Sequence, residues 1–195
     1  MIPFEEAEID RLSELANIGA GHAAGAFARL TGRSITMAVP RVRLSGLPID
    51  LRQGEIVIGE ATPTGSEDRD WSSGVIFEFD GCLNAVVGIL FASSMCDAVV
   101  RKLTGQAEGY LPPETVESAL MEVGNVLASH VASAIADTLG ARLLPSIPML
   151  ALNTAFEQLE SLTESRENAS DLWIECELID SEGNLGGMVV LVPDR

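Results

Sequence analysis

The sequence predicts an α+β fold: one internally duplicated domain over residues 1–195, with a mainly antiparallel β-sheet flanked by two long helices and pseudo-two-fold symmetry. Three observations predict it. Two long stretches carry apolar residues at helical spacing, two others are apolar strands joined by turn residues, and these parts recur in the same order. The repeats span about 5–104 and 113–195. Each runs long helix, proline, variable acidic segment, hairpin. Neither has strands enough to bury its own helix, so both must share one core around a pseudo-dyad.

The first helix is expected over 5–30, where Ile9, Leu12, Leu15, Ile18, Phe27 and Leu30 recur at intervals of three and four. Pro3 and Gly32 bound it. Ser34–Val39 leans to β and stops at Pro40, Arg41–Leu47 alternates through Val42 and Leu44, and Gly54–Gly59 is a short strand-like run. Thr62–Asp70 is polar and reads as a surface loop. Val75–Phe79 and Leu83–Phe91 flank Asp80-Gly81, a dipeptide favoured in hairpin turns. Ser93–Leu103 shows helical spacing behind a serine in N-cap position.

After a hinge at Gly105–Pro113 the pattern restarts. Pro112-Pro113 open a second long helix, Glu114–Leu139, which Gly140 ends. Asn153–Asp171 is an acidic, serine-rich loop or short helix. Leu172–Ile179 and Leu185–Val192 form the second hairpin around Ser181-Glu182-Gly183-Asn184.

Composition narrows the function. A formal charge of −17 disfavours nucleic acid and anionic membrane as partners, since both require clustered Lys and Arg. Lys102 is the single lysine, and the acidic, lysine-poor surface leads us to expect a halophilic, archaeal source. Cys82, Cys96 and Cys176 show no C-x-x-C pairing, and His22 and His130 are the only histidines, so neither a disulfide frame nor a metal site is expected. The start, MIPFEEAEIDR, has acids where a leader has positive charge. The longest apolar run, Ala85–Cys96, is short of the ~20 residues that span a bilayer. These readings place the protein in the cytoplasm. Gly19, Gly21 and Gly25 lack the spacing and the preceding strand of a dinucleotide loop.

The sharpest signal lies in the two long helices. Asp10, Glu14 and Asn17 are followed by Pro40, and Ser118, Glu122 and Asn125 by Pro148, with every interval identical and the copies 108 residues apart. At about 100° per residue, Glu14 falls near 40° from Asp10, Asn17 near −20° and Gly21 near 20°, so one helical face presents Glu and Asn together. Ser118, Glu122, Asn125 and Ser129 repeat that fan. The small residues Gly19, Gly21, Ala128 and Ser129 are expected to admit a partner's backbone.

On these residues the chain resembles the CheC-type phosphatases of bacterial and archaeal chemotaxis. Their pattern is Asp or Ser, Glu after three residues, Asn after two more and Pro after twenty-two, and it is matched in both halves. The resemblance implies hydrolysis of the aspartyl phosphate of the response regulator CheY. Asn17 and Asn125 would orient the attacking water and Glu14 and Glu122 would dock a lysine of the regulator. Asp10 and Ser118 would support the site or cap the helix, and Pro40 and Pro148 would be structural. No cofactor of its own is implied, Mg²⁺ being supplied by the regulator. The resemblance also admits the deamidase CheD as a partner. The alternative is a non-catalytic chemotaxis adaptor that binds CheD or the motor switch.

Overall fold

Alternating side chains along four central strands decide the architecture. A computed structural model describes residues 4–44, 47–52, 55–58, 73–168, 170–181 and 185–195. The order of elements is α1 (Glu6–Thr31), β1 (Ile35–Met37), β2 (Arg41–Leu44), β3 (Leu47–Arg52), β4 (Glu55–Ile58), β5 (Ser73–Gly81), β6 (Ala85–Phe91), α2 (Ser93–Thr104), α3 (Pro113–Leu139), β7 (Leu143–Pro145), β8 (Met149–Ala151), α4 (Ala155–Glu164), β9 (Leu172–Asp180) and β10 (Leu185–Pro193). They form a ten-stranded sheet in the order β4-β3-β2-β9-β10-β6-β5-β7, with β1 also on β9 and β8 also on β5. Every pairing among the described strands is antiparallel.

Period-2 alternation sorts the sheet into two buried faces. Val75, Phe77, Val87, Ile89, Ile174, Cys176, Val189 and Leu191 point to the side that carries both long helices. Ile76, Val86, Leu90, Trp173, Met188 and Val190 point to the other, where Ala155 and Leu159 of α4 cover them. Thus α1 and α3 do not sandwich the sheet; they lie side by side on one face. Arg41 and Arg43 of β2 pair with Glu177 and Glu175 of β9 at 3.2 and 2.8 Å. Burial pushes the Glu175 carboxyl upward against the pull of the two arginines.

The strand register is two-fold symmetric. At the centre β6 and β10 pair with Gly88 opposite Val190, Phe91 opposite Gly187 and Ala85 opposite Pro193. Rotation about that point maps β9 onto β5 and β10 onto β6. It also carries the pair Ile35–Asp180 onto Leu143–Gly81, and Arg41–Glu175 onto Met149–Ile76. The two halves have therefore exchanged strands: β1 and β2 of the first lie on β9 of the second, and β7 and β8 on β5 of the first. A dyad perpendicular to the sheet leaves two helices on one face running in opposite directions, and their burial repeats too. Leu12, Leu15, Ala16, Gly19 and Ala20 are buried on α1, and Leu120, Val123, Gly124, Leu127 and Ala128 on α3. Gly32 and Gly140 cap the two helices in left-handed conformation, at φ 69° and 60°, where a Cβ would be strained.

Between these shared parts the halves differ. β3 and β4 extend the sheet beyond β2, whereas the segment after β8 folds as α4 within the stretch 153–171, and α2 follows the first hairpin. The strand expected over Arg41–Leu47 ends at Leu44. The N-cap of α2 is Ala92 rather than Ser93. The first turn runs from Asp80 to Asn84, because Phe79 already pairs with Ala85. Pro3, the loop Thr62–Asp70 and the turn residues Glu182–Asn184 lie outside the described residues.

By length and composition α3 could span a bilayer, with mean hydropathy 1.3 in its most apolar window, but 56% of that window is buried inside the domain. It reads as a core helix packed on α1, β5 and β7. Between the helices, an arginine of α1 meets a histidine of α3. The Arg29 guanidinium donates to His130 Nε2 at 3.0 Å, so the proton of the ring sits on Nδ1, which donates to the Val126 carbonyl at 2.7 Å.

A Cβ on Gly124 would stand 2.6 Å from Val75 Cγ1, whereas one on Gly21 would meet nothing within 4 Å. We expect Gly124→Ala to lower unfolding free energy by about 1–3 kcal/mol through overpacking. Gly21→Ala should raise it by about 0.5–1 kcal/mol through helix propensity, both read by urea denaturation. Burial pushes the Cys176 thiol up to about 12, while Cys82 is exposed. Iodoacetamide at pH 8 should therefore label Cys82 in the native protein and Cys176 only after unfolding, as followed by mass spectrometry.

Candidate functional site

Helix α1 buries Ile9, Leu12, Leu15 and Ala16 against the sheet and α3, and this fixes what must face outward. Asp10, Glu14 and Gly21 are exposed and Asn17 is half-buried on the same stripe. On α3 the dyad-related Ser118, Glu122, Asn125 and Ser129 are all exposed. The structure thus brings Glu and Asn together on an outward face twice, as the wheel geometry predicts. Among the described residues, none of these four Glu and Asn side chains makes a hydrogen bond or ion pair within the chain. They are available to a second molecule.

Each stripe opens on a groove. In the first half, Asp10, Glu14 and Asn17 share an open groove of about 360 Å³ with Val39 and Pro40 from the β1–β2 connection. Pro40 therefore walls the site as well as ending a segment. In the second half, Ser118 and Glu122 line an open groove of about 590 Å³ with Leu103 and Thr104 at the end of α2. On its other flank Ser118 and Met121 face Leu150 and Leu152. The grooves are chemically unlike where the motif ends. Ser13 of the first, whose Oγ is buried without a hydrogen-bond partner, stands where the second has Met121.

Asp10 and Ser118 lie inside their helices, which start at Glu6 and Pro113, so neither is a cap. Each stands one helical turn before the Glu of its motif. The small residues divide. Gly19 and Ala128 are buried; a Cβ on Gly19 would stand 2.9 Å from Val131 Cγ1, so Gly19 serves the contact between the long helices, and Ala128 packs in the core. Gly21 and Ser129 alone stay on the outward face; the Ser129 hydroxyl turns back to donate to the Asn125 carbonyl at 2.8 Å. Among the described residues no group of three or more His, Cys, Asp or Glu is gathered as metal ligands would be.

Sequence reasoning passed over Val39 and Ile147. They precede Pro40 and Pro148, share the 108-residue offset of the motif, and are the most exposed large apolar side chains among the described residues. The offset was the available signal, since it extends from the prolines to the residues before them.

What this arrangement can do is set by its functional groups. A carboxamide offers one acceptor and two donors and can hold a water molecule in a fixed direction. A neighbouring carboxylate one helical turn away can take a cation. Neither group is a strong nucleophile, so the surface is equipped to position a reactant rather than to attack one.

The model of the CheC-like family matches residues 8–43, which hold Asp10, Glu14, Asn17 and Pro40. The CheY-P phosphatase CheC of Bacillus subtilis is 31% identical over 157 residues, covering 77% of this chain and 68% of the relative. Among solved structures, FliY of Thermotoga maritima superposes with a TM-score of 0.63 at 16% identity, over 98% of this chain and 92% of that one. The CheX–CheY–BeF3–Mg complex of Borrelia burgdorferi gives 0.56 at 14%, over 92% and 97%. At those identities the two structures speak for the fold alone.

Because the four side chains carry no intramolecular bond, their removal should leave the fold intact. Asn17→Ala, Asn125→Ala, Glu14→Ala and Glu122→Ala are each expected to change unfolding free energy by less than about 0.5 kcal/mol in urea. A larger loss at any of them would assign that side chain a structural task.

Proposed function

We propose that this chain, a member of the CheC-like family, hydrolyses the aspartyl phosphate of a CheY-type chemotaxis response regulator in the cytoplasm. The observation that carries the proposal is the doubled, outward-facing Glu–Asn stripe with unbonded side chains. The relation to a CheY-P phosphatase supports the reaction class.

The chemistry asks little of the enzyme beyond direction. In an acyl phosphate the leaving group is a carboxylate, so the P–O bond to the aspartate breaks readily once a water oxygen approaches from the opposite side. The new P–O bond forms to that oxygen, the aspartate leaves with its electron pair, and the proton of the water passes to the phosphate or solvent. Asn17 or Asn125 accepts a hydrogen bond from the water through Oδ1 and so fixes its line of approach, the task that Gln performs in GTPases. Glu14 or Glu122, one helical turn away, takes the lysine ammonium of the regulator and sets the angle at which its active site meets the helix. The divalent ion belongs to the regulator and offsets charge on the phosphoryl oxygens when bound. Asp10 and Ser118 support the carboxylate beside them.

Orientation of this kind accounts for large rate factors, because it removes rotational freedom before reaction. In a phosphate-release assay with phosphorylated regulator and Mg²⁺, Asn17→Ala plus Asn125→Ala should reduce the accelerated component at least about a hundredfold. Each single substitution should remove its own share. Phosphate loss that is equal with and without the wild-type protein would reject catalysis and leave the adaptor reading, in which the same faces only dock.

A further inference from the structure

Beyond Glu and Asn, each half holds an apolar side chain out into solvent just before the motif proline. Val39 is 83% exposed and Ile147 is 89% exposed, which contributes nothing to the core of this domain. Both are β-branched, and β-branching restricts χ1 to few states. Their backbone is fixed in the same way twice. Ala38 N–H donates to the Glu177 carbonyl at 2.9 Å and Ser146 N–H to the Glu78 carbonyl at 2.8 Å, contacts that the dyad interchanges. The Ser146 hydroxyl further accepts from Glu78 N–H at 2.9 Å. A proline follows in each case and limits the backbone next to the exposed residue.

The neighbours have meanwhile diverged: Met37-Ala38 stands against Pro145-Ser146, and Arg41 against Met149. A β-branched aliphatic residue stands before the proline in both copies, although positions 37, 38 and 41 differ in kind from 145, 146 and 149. Val39 lines the same groove as Asp10, Glu14 and Asn17, and Ile147 stands at the 108-residue offset from it, before the proline of the second motif.

The geometry points to Val39 and Ile147 as rigid docking contacts that seat the phosphorylated regulator beside each Glu–Asn pair, an inference that rests on the phosphatase reading above. The acidic stripe attracts a basic partner surface from a distance, but exposed charges at an interface mainly govern the rate of encounter. Residence time comes from apolar side chains buried at contact. The occupant is accordingly a receiver domain that offers a lysine to the carboxylate and an apolar patch to the branched side chain.

The test uses the full chain and the cognate regulator loaded with beryllofluoride and Mg²⁺, which binds without being hydrolysed. Val39→Ser plus Ile147→Ser should raise Kd about tenfold, raise KM for the phosphorylated regulator to match, and leave kcat within about twofold. Val39→Ile plus Ile147→Val should keep wild-type Kd. The β-branched polar pair Val39→Thr and Ile147→Thr serves if the serine variant fails to fold. Unchanged Kd and KM, or a loss confined to kcat, would overturn the docking role while the phosphatase reading stands. A wild-type protein that neither binds the loaded regulator nor speeds phosphate release would remove that reading, and this inference with it.

Discussion

The antiparallel pairing of β6 with β10 is the constraint from which the rest follows. With Gly88 opposite Val190, the pair sets the dyad, and the dyad sets where every other strand can attach. Each hairpin offers one free edge, and the short strands that fill it come from the opposite half. One face of the resulting sheet carries a continuous aliphatic surface that only two adjacent helices can cover. Burial of such side chains contributes about 1.5–3 kcal/mol apiece, enough to hold long helices in one rotation about their axes. That rotation is what turns Glu14, Asn17, Glu122 and Asn125 outward.

Much of this was legible in the chain because it is local. Helical periodicity at Ile9, Leu12 and Leu15 gave the buried face of α1, and the polar stripe is its complement. Apolar runs around turn residues gave both hairpins. The strand exchange was not legible, since Ile35 and Asp180 carry no mark of their pairing; it is set by which edge stays open after the hairpins meet. The covering of the far sheet face by α4 was equally hidden. An acidic segment with Leu159 and Phe156 at helical spacing fits either a solvated loop or an amphipathic helix, and tertiary contact with Val86 and Leu90 decides. The small residues of the motif helices were assigned one role when they had two, because sequence does not say which flank of a helix another helix will take.

The two sites are similar in design and different in setting. The helix, the Glu–Asn stripe, the capping glycine and the branched residue before proline are shared. The walls are not: one open groove is lined by Val39, Pro40 and Ser13, the other is bordered by α2 through Leu103 and Thr104. Shared parts are those that the dyad or the chemistry requires, and the divergent parts are those that touch only the surroundings of each site.

The exchange of strands between halves also orders events at the ribosome. β1 and β2 leave the exit tunnel long before β9, and the aliphatic face of the first hairpin has no second helix until α3 is made. The N-terminal half must therefore wait, with its edges unsatisfied, for the C-terminal half to appear. A chain of this topology completes its sheet late, and the interval before completion is when it most needs protection from association with its neighbours.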